Sequence, residues 1–182
     1  MHKLIRITLA VALPVVWAAG CSDFLKGGEL TNNPNNATQG SASNDNLFIP
    51  IQVNQFAQQN SEVAWSIAQW MQELNGAARQ QVGVYNYSGL NNGTFDGDMI
   101  TVYTGGGLID LRQLQTQALA ANDHQYNGIA LVMEGWMMGN AADWWGAIPY
   151  SQAVNYFVYP TPILDSQQVA YDSVVSKLNQ AL

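Results

Sequence analysis

Ala141-Ala142-Asp143-Trp144-Trp145-Gly146-Ala147-Ile148-Pro149-Tyr150-Ser151-Gln152-Ala153 is the stretch that decides the fold. An apolar helical run ends inside it. Gly146 and Pro149 stop the helix and turn the chain, and Tyr150 follows where its ring can pack back on a helix pair. Before the turn, Ile129, Val132, Met133, Trp136 and Met137 form a stripe of helical period. After it, Tyr171, Val174, Val175, Leu178, Ala181 and Leu182 form another, and Asp165 with Gln168 three residues later resembles a capping box that opens it.

The same period extends upstream. Ile100, Tyr103, Gly107, Leu111, Leu114 and Ala118 make a stripe interrupted by Gly105-Gly106-Gly107. Those glycines each cost about 1 kcal/mol of helix propensity relative to alanine. They lack the Lys and Ser or Thr of a phosphate-binding loop, so close helix packing is their better reading. Val63, Ile67, Trp70, Met71 and Leu74 lie behind a Ser61 cap and before Gly76, and Leu47 to Gln59 reads as helical with Pro50 in its first turn. Trp65, Trp136 and Met137 are expected in the core. The fold class is therefore mainly α, built from antiparallel helix pairs. The last stripe is still periodic at Leu182 with no capping residue, which leads us to expect further sequence in the natural protein.

The beginning of the chain fixes a compartment. Lys3 and Arg6 precede a short apolar run, Ile7 to Trp17, broken by Pro14, and Ala18-Ala19-Gly20-Cys21 follows. This is the layout of a cleaved lipoprotein signal at residues 1–20, with the thiol of Cys21 as the site of lipid attachment. An ordinary secretory signal leaving a free thiol is the alternative. Residues 21–46, rich in Asn, Gly, Ser and Thr, read as lipid anchor and polar tether, and 47–182 as the helical domain.

Removal of residues 1–20 leaves four basic against thirteen acidic side chains, a net charge near −9, whereas Asn and Gln together number 34. So acidic a chain is repelled by nucleic acid and by anionic headgroups, and the membrane has to be reached through the acyl chains on Cys21. Neutral amides bond polyols without a large charge to desolvate, which favours sugars as ligands.

Catalytic and metal chemistry find little support. His124 is the one histidine after residue 20, which excludes a multi-histidine metal site and leaves a Ser-His-Asp triad without a marked nucleophile. Asp96 and Asp98 are the best carboxylate pair, but a Gly-linked pair before a helix reads more simply as a turn plus N-cap than as glycosidase acids on opposite sides of a sugar. Their spacing is not that of an EF-hand calcium loop. No cofactor is expected. Tyr85 and Tyr87, among the amides and turn residues of 83–93, either stack on a sugar ring or anchor a long loop.

The 141–153 segment resembles the hallmark helix-end segment of the SusD/RagB family of nutrient-binding outer-membrane lipoproteins. Leu30-Thr31-Asn32-Asn33-Pro34-Asn35, the helix with Gln72, Val102-Tyr103-Thr104-Gly105-Gly106-Gly107-Leu108-Ile109-Asp110-Leu111, and Pro162-Ile163-Leu164-Asp165 ahead of Tyr171 agree in order and spacing with that family's N-terminal half. Trp145 and Ala147 depart from the residues common there. The resemblance implies a SusD-like scaffold of tetratricopeptide-like antiparallel helix pairs with long loops, lipid-anchored at the cell surface of the outer membrane. It implies a protein that binds glycan or another nutrient oligomer and delivers it to a TonB-dependent, SusC-like transporter without enzymatic activity. Tyr85, Tyr87, Asn91 and Asn92 are the candidate ligand-binding residues. A surface glycoside hydrolase and a non-binding structural lipoprotein of the same complex are the alternatives.

Overall fold

The computed structural model describes residues 42–182; Cys21, the signal and most of the tether lie outside the described residues. The first described helix, α1 (Asn44–Gln58), starts where the Ser43 hydroxyl accepts the Asn46 N–H at 3.2 Å. That cap lies ahead of the expected start at Leu47, so Pro50 falls in the helix interior rather than in the first turn. The helix continues past the bond that Pro50 cannot donate because Leu47 and Ile51 are buried on its inner face.

Ser61 caps α2 (Glu62–Trp70) as expected, but the helix stops short of Leu74. Gln72 adopts a left-handed conformation (φ 63°), and the N–H groups of Glu73 and Leu74 turn back to the Ala68 carbonyl at 2.9 and 3.2 Å. Met71 and Leu74 consequently stand exposed, and so does half of Trp65, which the sequence placed in the core.

The remaining helices are α3 (Gln80–Tyr85), α4 (Asp96–Tyr103), α5 (Leu108–Ala120), α6 (His124–Trp145) and α7 (Gln167–Gln180). The protein is mainly helical, with no strand among the described residues and one isolated antiparallel bridge between Ile148 and Asp165. The glycine run splits one predicted stripe into α4 and α5, with Gly106 at φ 77°. A methyl group on Gly106 would lie 2.6 Å from the Pro50 carbonyl oxygen and 2.9 Å from Asn54 Cβ, so this turn presses directly on α1. Close packing is what these glycines provide.

Helices α5 and α6 form a hairpin across a turn in which Asn122 is left-handed and Asp123 caps α6 through the Tyr126 N–H at 3.0 Å. Helix α7 returns antiparallel to α6. The Gln167 amide donates to the Ala142 carbonyl at 2.8 Å, whereas a methyl on Gly135, further back along α6, would touch Leu178 at 3.0 Å, and one on Gly128 would reach the Ala181 carbonyl. The core consists of Ile51, Val102, Leu111, Leu114, Ala118, Ala130, Met137, Met138, Ala141 and their neighbours.

Met137 is buried as expected, but Trp136 and Val132 are 45% and 47% exposed. Helix α6 is apolar around much of its circumference. What selects its inner face is the small residues Ala130, Gly135, Ala141 and Ala142, which let α5 and α7 approach.

The inner face also holds a charge. Glu134 is 0% exposed, with Lys177 Nζ at 3.3 Å, Arg112 Nε at 3.7 Å and the Gln115 amide donating at 2.5 Å. One carboxylate thus joins α5, α6 and α7.

The 141–153 segment ends α6 with Gly146 at φ 74°. Ile148 and Asp165 exchange N–H···O bonds of 3.1 and 2.9 Å. Arg112 donates to the carbonyls of Ala153 (2.5 Å) and Tyr150 (2.9 Å), and its guanidinium lies 5.8 Å from the centre of the buried Tyr150 ring. Asp143 accepts the Tyr171 hydroxyl. Asp165 does not cap α7; Ser166 does, through the Val169 N–H at 3.4 Å. The Asp165 carboxylate instead turns inward and accepts from Tyr150 N–H (3.0 Å), Ser151 N–H (2.6 Å) and the Ser151 hydroxyl (2.8 Å).

Candidate functional site

Helix α3 ends in a Schellman turn: the Tyr87 N–H donates to the Val84 carbonyl at 3.1 Å and the Ser88 N–H to the Gly83 carbonyl at 2.8 Å. The residue that must be left-handed in this turn is Tyr87, at φ 58°. Glycine is the usual occupant, and a residue with a Cβ is strained there by about 1–2 kcal/mol. The opposing Gly83 and Gly89 backbones keep the turn tight, since a methyl on either would sit 3.2 Å from the other's Cα.

The left-handed turn carries the Tyr87 ring back over Trp70 at the end of α2. The two rings are stacked, with centroids 5.5 Å apart and planes 19° from parallel, while Tyr87 remains 63% exposed. Trp70 is fixed on two further sides. Its indole N–H donates to the Val84 carbonyl at 3.1 Å, and Phe95 meets it edge-on at 6.2 Å.

The other sequence candidates occupy the same loop in different ways. Tyr85 is the last residue of α3, partly exposed, with its Cβ against the buried Gly76. The Asn91 amide oxygen accepts the Gly93 N–H at 2.8 Å, and its own N–H donates to Thr94 Oγ1 at 2.8 Å, so Asn91 shapes the turn into α4. Asn92 is exposed. Among the described residues no ring contact or hydrogen bond joins Tyr85, Asn91 or Asn92 to Tyr87. Trp70 and Phe95 were missed as site residues, because Trp70 reads as one more apolar position in a helical stripe.

From Gln80 to Phe95 no side chain is charged. Beyond Phe95, a shallow groove of about 410 Å³ follows α4, lined by Met99, Ile100, Tyr103, Thr104, Pro149 and the single carboxylate of Asp96. Asp96 and Asp98 both stand in the first turn of α4, where negative charge suits the helix dipole, and neither caps it. His124 is the exposed first residue of α6.

The strongly perturbed acids belong to the frame. Burial, then the charge of Asp165, raises the Tyr103 phenol, with Arg112 opposing. Burial, then Glu134, does the same for Tyr150. At Asp165 burial works against the charge but is outweighed by the bonds from Ser151 and Tyr150, which hold the carboxyl below its ordinary range.

Against this geometry, residues 34–182 match the family model SusD-like, described as starch-binding and associating with the outer membrane. The chain belongs to the SusD/RagB family. No curated protein and no solved structure matches it. In this SusD-like chain the hallmark 141–153 segment is accounted for as a staple. Asp165 and Arg112 clamp it between α5 and the start of α7. The family is described as starch-binding and associated with the outer membrane, and the tyrosine loop of this member carries the exposed Tyr87 ring stacked on Trp70.

Proposed function

We propose that the chain is a surface lipoprotein that captures a neutral glycan through the 85–92 loop and passes it to a TonB-dependent transporter. The observation that carries this reading is the exposed Tyr87 ring, held in a strained backbone conformation on Trp70 within an uncharged segment. A pyranose has an apolar C–H face that fits such a ring and hydroxyls that fit the surrounding amides. Asp96 and Asp98 share one helical turn rather than facing each other across a cleft, which favours binding over hydrolysis.

The anchor of this reading is Cys21, after a signal at 1–20 and ahead of a tether over 21–46. The helical unit over 47–182 is read as the N-terminal part of a larger domain. The exposed apolar side chains Tyr156, Phe157, Ile163 and Leu164, in a segment without charge between Asp143 and Asp165, are the kind of surface that further structure covers. Electrophoresis of the native protein through gels containing starch, other neutral glycans or an anionic polysaccharide tests the binding. Retardation by a neutral glycan and not by the anionic one is expected; unhindered migration in every gel would contradict it.

A further inference from the structure

The turn at Tyr87 poses a question of residue choice. A Schellman turn needs a left-handed residue after the helix, and glycine fills that position without strain. This chain places a tyrosine there, in a loop where Gly83 and Gly89 already serve the close backbone approach. Gln72, Arg79, Asn122 and Val154 also have a positive φ, so what sets Tyr87 apart is its ring. It covers little of the core, since Tyr87 is mostly exposed. What it gains is a parallel stack on Trp70, whose own orientation is set by the indole bond to Val84 and by the Phe95 edge. Those three contacts come from α2, α3 and the start of α4. A surface ring without such backing would turn freely about χ1 and would lose that freedom on binding.

We infer that Trp70 is a positioning residue: it holds the Tyr87 ring in one orientation so that the face turned away from the indole is a preformed platform for the C–H face of a neutral hexopyranose. This rests on the glycan-binding reading and adds to it the residue that makes the loop a site. Trp70 acts through Tyr87 and not by its own contact with the sugar. Phe95 meets the indole edge-on and braces it from a further side.

The test is a double-mutant cycle by calorimetric titration of the whole chain with maltoheptaose, cellohexaose and mannohexaose, each variant also being melted. For a glycan that the wild type binds, Tyr87→Gly is expected to weaken affinity about three- to tenfold, the loss of one stacking contact, without lowering the melting temperature. Trp70→Leu is expected to weaken it comparably. In the Tyr87→Gly background Trp70→Leu should change affinity by less than about twofold, because its effect passes through a ring that is no longer there. Should Trp70→Leu not fold, Trp70→Phe replaces it, with a smaller loss that again vanishes in the Tyr87→Gly background. Equal loss from the Trp70 variant in both backgrounds would overturn the positioning role. Unchanged affinity in Tyr87→Gly would overturn the platform. Absence of wild-type binding to all three sugars would overturn the glycan-binding reading together with it.

Discussion

The Asp165 carboxylate accepts both the backbone N–H and the hydroxyl of Ser151, at 2.6 and 2.8 Å, across a turn whose two arms are also joined by the Ile148–Asp165 bridge. Asp165 thereby closes the family's hallmark segment onto the start of α7, and Arg112 fixes the same segment to α5. Replacing Asp165 with asparagine removes the charge from three hydrogen bonds, and a loss of about 2–3 kcal/mol in denaturant unfolding is expected.

The pH dependence of that loss has a definite sign. Asp165 is held below its unfolded pKa, so its stabilisation is complete above the ordinary carboxylate value near 4 and disappears as pH falls through the lower folded value. Wild type and Asp165→Asn should differ at neutral pH and converge as acidification protonates the Asp165 carboxyl, below the ordinary carboxylate range. A gap that stays constant with acidification would show that the carboxylate charge contributes nothing.

The buried Glu134 gives a second prediction. Its side chain is wholly enclosed, whereas those of Lys177 and Arg112 are 25% and 29% exposed. Glu134→Ala leaves two cations facing an apolar cavity and is expected to cost about 3–5 kcal/mol, while Lys177→Met, whose ammonium already reaches water and whose partner keeps Arg112 and Gln115, is expected to cost about 1 kcal/mol. Chemical denaturation of both variants measures the ratio.

Gly106→Ala combines a left-handed backbone with a methyl 2.6 Å from the Pro50 carbonyl. The conformation alone costs about 1–2 kcal/mol, and the clash must push α1 from the α4–α5 turn. Gly97→Ala, with open space around it, is the control expected to be neutral or slightly stabilising in a thermal melt.

Anchoring at Cys21 predicts that Cys21→Ser is exported but no longer labelled by radioactive fatty acid, and that it leaves the membrane fraction. Undiminished labelling would contradict the lipid site.

Much of the fold was legible because Ser61 caps α2, because α5 carries a one-sided apolar stripe, and because Gly146 and Pro149 punctuate the chain. The inner face of α6 was not. Trp136 and Val132 are as apolar as the buried Met137, so periodicity alone could not choose between them, and the decision came from Gly135 and the alanines that admit α7. Glu134 escaped notice because its partners Arg112, Gln115 and Lys177 lie on other helices. Asp165 read as a helix cap because a capping box and an inward staple share the same local pattern, and only the fold brings Ser151 to it. In the candidate site the exposed tyrosines were visible in the sequence as aromatics among amides. Trp70 was not, since its link to Tyr87 depends on a left-handed turn that the sequence does not signal with glycine.

The central claim is recognition of a neutral sugar by a preformed, uncharged aromatic surface, and its most direct test is calorimetric titration of the chain with neutral and anionic oligosaccharides at two ionic strengths. The account predicts saturable binding of a neutral oligosaccharide with an affinity that does not change between about 0.05 and 0.5 M salt, because no charge pair is there to be screened. Binding only to the anionic sugar, or an affinity that collapses as salt is raised, would contradict it.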